Sequence, residues 1–268
     1  MKNFNNKVAV ITGAGSGIGR ALAIQLSTQG CHLALADINR AGLDETKTLL
    51  RSDVTVSLHC VDVANWQAMQ LFASDVVSQH GQVNLLINNA GVALGALFKD
   101  ASLEDMRWVM DINYWGVVHG CKAFGPIMAQ SERGCIVNVS SVFGLFTVPT
   151  QTAYCSSKFA VRGFTDALRH EAEFLGKDMH IACAFPSGIK TSIAKNARRT
   201  AVEQSPEEAE EALAKTEAWF WTTADEAASD ILTGVRKRKV RIKVGKGSNV
   251  MDYLSRLLPV KFSLFLRP

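Results

Sequence analysis

Tyr154 is followed four residues later by Lys158 in the run YCSSK, and Ser141 stands upstream of both in VNVSS. A hydroxyl, a phenol and an ammonium at these spacings can form one proton-transfer site. A phenol is a poor base at neutral pH, because its unperturbed pKa is about 10. The spacing predicts a helix over 152–175, with Tyr154 and Lys158 one turn apart on one face, where a positive charge lowers the phenol pKa. The pair alone also fits an amphipathic helix with a solvated lysine, so its meaning depends on the elements around it.

The first of those elements is at the N-terminus. KVAVIT at 7–12 is a short, β-branched apolar run, followed by GAGSGIG and then by RALAIQLSTQG, which has helical periodicity. That order reads as strand, glycine turn and helix. Gly13, Gly17 and Gly19 allow close approach of the backbone, and the helix beyond them offers unpaired N–H groups to a pyrophosphate. The spacing departs from GxGxxG, and Gly15 is an extra glycine. The next apolar run, HLALAD at 32–37, ends in Asp37, which is placed to accept hydrogen bonds from the adenosine ribose of NAD and to repel the 2′-phosphate of NADP.

With these motifs in order, the chain over about residues 5–192 resembles the classical short-chain dehydrogenase/reductase family. The family's TGxxxGxG appears as Thr12 to Gly19, its NNAG as Asn88 to Gly91, and its catalytic Ser, Tyr and Lys as Ser141, Tyr154 and Lys158. Asn113, in MDINYWGV, falls where the family carries an Asn that holds a relay water. The resemblance implies cofactor contacts at Gly13, Ser16, Gly17, Ile18 and Gly19, at Asn89, Ala90 and Gly91, and at Asp62 and Val63 beside adenine. It also implies that Tyr154 and Lys158 meet the nicotinamide ribose. Pro186, Ile189 and Thr191 keep the spacing of a further cofactor loop, but Ser187 stands where the family has glycine. NAD is the expected cofactor; Arg20 and Arg40 keep NADP open.

Apolar strands near 7–12, 32–37, 55–61, 84–88, 135–139, 180–185 and 240–244 alternate with helical segments. Such alternation predicts an α/β fold, a doubly wound Rossmann-type parallel sheet of about seven strands in a single domain. The glycine turn, Asp37, Asp62, Asn88, Ser141 and Pro186 all follow or end strands, so they converge on the crevice at the strands' carboxyl ends. One domain over 1–268 is expected, with 189–223 a substrate lid and 245–268 a basic and apolar extension.

No apolar run is long enough for a signal peptide or a membrane span, which predicts a cytoplasmic protein. Six widely spaced cysteines without CxxC read as small buried hydrophobes, and the histidines show no metal spacing; neither disulfides nor a metal is expected.

The chemistry expected is hydride transfer between a nicotinamide cofactor and an alcohol or ketone. Tyr154 moves the proton, Ser141 holds the oxygen, Lys158 lowers the phenol pKa and Asn113 anchors a water. Val92, Ala93, Leu94, Val142, Phe143, Leu145 and Gln151 are expected at the pocket, a mostly apolar lining that suits a small hydrophobic alcohol or carbonyl substrate. The competing reading is a non-catalytic sensor or scaffold that binds a dinucleotide.

From Gly234 to Pro268 ten Lys or Arg face one acid, Asp252, whereas the whole chain carries a net +4. Val240, Ile242 and Val244 alternate with Arg241 and Lys243, as in a half-buried edge strand rather than a nucleic-acid arm. Tyr253, Leu254, Leu257 and Leu258 recur at helical spacing. Three readings compete for this segment: a homo-oligomer interface, as in the dimers and tetramers of the family, then packing on its own domain, then peripheral membrane contact.

Overall fold

The computed structural model describes residues 1–130, 134–176, 178–191, 193, 196–199 and 220–258. Its centre is a seven-stranded parallel sheet built from β1 (Val8–Thr12), β2 (His32–Asp37), β3 (Val56–Cys60), β4 (Leu85–Asn88), β6 (Cys135–Val139), β7 (His180–Pro186) and β11 (Arg241–Val244). The strand order is β11-β7-β6-β4-β1-β2-β3. Chain progression reverses between β1 and β4, which is the switch point where this architecture opens its binding crevice. Every strand lies within a residue or two of its expected position. The short strands β5 (Leu94–Gly95) and β9 (Arg198–Arg199) pair with each other, as do β8 (Ile189–Lys190) and β10 (Thr222–Thr223).

Alternate residues of each strand feed opposite faces, as the two-residue period of a pleated strand requires. Ala9 and Ile11 of β1, with Leu33 and Leu35 of β2, pack against Leu22 and Leu26 of α1 (Gly17–Ser27), Leu43 of α2 (Arg40–Thr48) and Ile231 and Val235 of α7 (Ala224–Arg236). Val10, Ala34 and Leu86 face the other way, onto Phe72 and Val76 of α3 (Trp66–His80), Val117 and Phe124 of α5 (Gly116–Met128) and Val161 of α6 (Thr152–Phe174). The helix α4 (Leu103–Met110) runs into a π-helical turn over Asp111–Trp115, which continues into α5. A single wide turn of this kind inside a longer helix often marks a functional site.

At the edge of the sheet, β11 buries Ile242 and Val244, while Val240 is exposed, so the expected alternation begins one residue inside the run. After it, α8 (Ser248–Leu257) divides the expected apolar stripe. Leu254 and Leu258 join Met251 against Phe185, Val142 and Phe146, whereas Tyr253 and Leu257 are exposed. The near half of the C-terminal extension thus packs on its own domain. Among the described residues no helix is long and apolar enough to cross a membrane. Five cysteines are buried as expected, but Cys60, at the end of β3, is exposed. The expected lid falls largely on 200–219, outside the described residues, as does the terminal run 259–268.

Candidate active site

The glycine turn between β1 and α1 is held by two partners. Asn89 Nδ2 donates to the carbonyls of Thr12 and Gly13 at 3.0 and 3.2 Å, and Thr12 Oγ1 accepts from the amides of Asn89 and Ala90, both at 3.0 Å. The NNAG run is therefore clamped onto the turn. Gly19 has no alternative here, because a Cβ would lie 2.1 Å from the Gly13 carbonyl oxygen. Side chains cap α2, α3, α4 and α7, but Ser16 makes no such bond to α1, and the first turn of α1 holds no acid. An uncapped helix end with glycines in the turn before it fits a pyrophosphate.

Asp37 closes the other end of this groove. Its carboxylate accepts from the Gly15 amide at 2.8 Å and from the Asn39 amide at 2.9 Å, which fixes its position and leaves acceptor capacity for a ribose diol. The two nearby arginines are occupied: Arg20 makes a two-pronged bond to Glu45 at 2.7 and 2.8 Å, and Arg40 pairs with Asp44 at 3.1 Å. Beyond Asp37 a cleft of about 590 Å3 is lined by Ile38, Asp62, Ala64, Glu104, Arg107 and Trp108, the place expected for adenine. Val63 is buried, with its carbonyl 2.9 Å from His119 Nδ1. The loop after β7 returns to the glycine turn, where Thr191 packs within 3.3 Å of the position a Gly17 side chain would occupy. The Ile189 side chain is in the core. Ser187 in place of glycine has a structural use: its hydroxyl lies 3.6 Å from Met251 Sδ of α8.

Ser141, Tyr154, Lys158 and Asn113 meet at the carboxyl end of β6. Ser141 caps a short 3-10 turn over Val142–Gly144 and accepts from the Phe143 amide at 3.1 Å. The Tyr154 phenol lies edge-on to Phe143, and the Ser141 hydroxyl is the neighbour that pulls its pKa down. Lys158 is 3 % exposed; its Nζ donates to the Val139 carbonyl at 3.2 Å and stands 5.5 Å from the Tyr154 ring centre. Asn113, fully buried in the π-helical turn, accepts from the Val92 amide at 2.8 Å and donates to the Val92 carbonyl and to Ser157 Oγ, each at 3.0 Å. Its side chain is chiefly a brace, with one acceptor site on Oδ1 left for the expected water.

The electrostatics differ from the expectation that Lys158 lowers the phenol pKa. Burial pushes the Tyr154 phenol up to about 12, against an opposing hydrogen bond from Ser141. Burial also pulls Lys158 down to about 8. Desolvation of both groups outweighs their mutual effect, because the ammonium faces a backbone carbonyl rather than the phenol oxygen.

Not all the expected pocket residues line the site. Val142 and Leu145 are buried against Cys183 and Phe185, and Leu94 packs with Val109 and Ala153. Three positioning groups were missed by the motifs. Ser157 is fully buried and donates to the Tyr154 carbonyl at 2.7 Å, Ser140 Oγ donates to the Lys158 carbonyl at 2.8 Å, and Arg162 donates to the Gly144 carbonyl at 3.2 Å. The four-residue step from Tyr154 through Lys158 to Arg162 is the signal that points to the last.

The profile of the short chain dehydrogenase family matches residues 7–202. SadH of Mycobacterium tuberculosis, named as an oxidoreductase, is 41% identical over 265 residues, covering 96% of this chain and 93% of that protein. Human 17-beta-hydroxysteroid dehydrogenase 13 is 30% identical over 267 residues, covering 99% of this chain and 83% of its own. A short chain dehydrogenase/reductase from Burkholderia phymatum, solved in complex with NAD, superposes with a TM-score of 0.86 at 32% identity over 100% of this chain and 98% of that one.

Proposed function

The chain belongs to the short-chain dehydrogenase family, and from that premise we propose that it is an NAD-dependent oxidoreductase acting on a hydrophobic alcohol or ketone through Ser141, Tyr154, Lys158 and Asn113. The observation that carries this reading is the convergence of Ser141, the Tyr154 phenol it acts on and the buried Lys158 on the crevice that begins at the glycine turn. Bound NAD supplies hydride acceptance, and NADH hydride donation. Gly13, Ser16, Gly17, Ile18 and Gly19 would hold the pyrophosphate, Asp37 the adenosine ribose, and Asp62 and Val63 the adenine. Asn89, Ala90 and Gly91 would wall the groove, with Pro186, Ile189 and Thr191 on its far side.

In reduction Tyr154 gives its proton to the carbonyl oxygen, and Ser141 donates a hydrogen bond to that oxygen as charge develops. The raised phenol pKa keeps Tyr154 protonated at neutral pH, the state this direction needs. In oxidation Tyr154 takes the proton back, and Lys158, still largely charged at neutral pH with a pKa of about 8, stabilises the phenolate. The apolar surroundings, Val92 and Phe143 among them, support a hydrophobic substrate, as does the human relative named as a hydroxysteroid dehydrogenase.

NAD is preferred to NADP in this reading, because Asp37 would meet the adenosine ribose and both nearby arginines are paired with carboxylates. The protein works in the cytoplasm as a dimer or tetramer. Val250, Tyr253 and Leu257, 60, 64 and 58 % exposed on the outer face of α8, are the proposed contact. Changing all three to serine should lower the mass seen in light scattering, and an unchanged mass refutes that contact.

Fluorescence titration with NADH and NADPH, followed by nicotinamide absorbance over a panel of alcohols and ketones, tests the activity. Tight NADH binding with turnover of hydrophobic members supports it. Turnover of none of them, despite binding, returns the chain to the sensor class.

A further inference from the structure

We propose that Arg162 is a positioning residue of the catalytic turn, holding Ser141 against Tyr154 through the carbonyl of Gly144. The proposal rests on the reading of Ser141 and Tyr154 as the proton-transfer pair. Tyr154, Lys158, Arg162 and Asp166 follow one another at four-residue steps and form a single stripe along α6. The first two face the reacting atoms. The third reaches back to the turn that carries Ser141: Arg162 Nη1 donates to Gly144 O at 3.2 Å.

That carbonyl is an effective point to hold. Gly144 closes the 3-10 turn, its amide donating to Ser141 O at 2.9 Å, so a displacement at Gly144 is passed directly to Ser141. The turn sits hard on the helix: a Cβ at Gly144 would lie 2.4 Å from Ser140 Oγ and 2.7 Å from Lys158 O. A side chain at that position therefore cannot anchor it. The near end of the segment is tied down by Ser140 Oγ on Lys158 O at 2.8 Å. At the far end, Arg162 supplies the polar tie, and Met251, Leu254 and Leu258 supply apolar cover.

The guanidinium lies beside a charged cluster. Asp166, one turn further along α6, accepts from Arg241 of β11 at 3.3 Å, and Arg241 Nη1 lies 3.9 Å from Asp252 of α8. Arg162 lies in the field of all three groups. Lys243 and Arg256 complete the cluster around Asp252. The stripe on α6 thus links the reacting phenol to the C-terminal helix, with Arg162 as the step that touches the serine turn.

Arg162→Met keeps the apolar stem and removes every donor, while Arg162→Lys keeps a charged donor group. In NADH-dependent ketone reduction, Arg162→Met should lower kcat by about 10- to 100-fold, the range that follows from misplacing a reacting group by about an ångström. KM for NADH should stay within about twofold, as for an interaction made in the transition state alone. Arg162→Lys should recover most of kcat.

A second readout needs no turnover. The chain has three tyrosines, so the labelled Cζ resonance of Tyr154 can be assigned with Tyr154→Phe. Arg162→Met should move that resonance, because Ser141, which acts on the phenol, is displaced, and Arg162→Lys should leave it near the wild-type position. A wild type that turns over nothing defeats the catalytic reading, yet the resonance still decides the role of Arg162. An unmoved resonance, or a kcat loss that follows melting temperature alone with lysine no better than methionine, overturns the proposal.

Discussion

Lys158 Nζ donates to the Val139 carbonyl at 3.2 Å while standing 5.5 Å from the centre of the Tyr154 ring. The lysine is therefore seated by the sheet and addresses the phenol across a short gap. In the proposed reaction its charge would be available to the phenolate at proton transfer, but it does not hold the resting phenol ionised, since Tyr154 rests near 12 and Lys158 near 8.

A pH dependence follows with a definite sign. Reduction needs a protonated Tyr154 and a charged Lys158, so its rate should be highest at neutral pH and fall as pH rises through about 8. Oxidation must remove the Tyr154 proton and should gain as pH rises. The stability sign is separate. Lys158 is charged in the unfolded chain up to about 10.5 but in the folded chain only to about 8, so its burial costs stability below 8, and the cost fades between these values. Tyr154 acts oppositely above 10, where only the unfolded chain loses the phenol proton and stability declines towards 12. Lys158→Met should be inactive yet more stable than wild type at pH 7, by about 2–3 kcal/mol. Urea melts at pH 7 and pH 10 should show that gain shrinking; a gain that grows with pH contradicts the assignment.

Cofactor choice turns on Asp37 and on what occupies Arg20. Asp37→Ser should shift the NADH to NADPH preference towards NADPH by about 10- to 100-fold, the scale of removing one like-charge contact. Glu45→Gln, by freeing Arg20 from its two-pronged bond, should move the preference the same way by a smaller factor. Parallel titrations with both cofactors check this. A wild type that already favours NADPH refutes the role given to Asp37.

Asp252 is 9 % exposed and accepts ion pairs from Lys243 and Arg256. Asp252→Asn leaves Lys243 poorly compensated beside the Phe185 ring and should destabilise the fold by about 1–3 kcal/mol, less than a fully buried pair because Arg256 is in water. Adding Lys243→Met should recover part of the loss. Thermal melts of the two single variants and the double variant measure this coupling. Strict additivity would show that the pair does not anchor α8.

The frame was readable from the sequence because it is local. β2 and β6 lie on their expected residues, HLALAD and CIVNV, since alternation between two buried faces leaves an unbroken apolar run bounded by turns. Ser141, Tyr154, Lys158 and Asn113 were legible as motif members. What they touch was not. Asn113 bracing Val92 and Ser157, Ser187 meeting Met251, and Arg162 holding Gly144 are long-range pairings that depend on how the crossovers place one element over another. The C-terminal helix shows the limit of periodicity: Leu254 and Tyr253 both fit an apolar stripe, and only tertiary packing decides that the first is covered and the second exposed. The net direction of the Tyr154 shift was not legible for a related reason, because spacing gives proximity but not burial, and burial dominates both pKa shifts.

The most direct test of the account is Tyr154→Phe, which removes one hydroxyl and little volume from a packed site. Steady-state ketone reduction should fall by at least about 100-fold, the lower bound for losing a general acid, while NADH affinity by fluorescence stays close to wild type. Turnover comparable to wild type in that variant would contradict the proton-transfer role of Tyr154 and, with it, the proposed reaction.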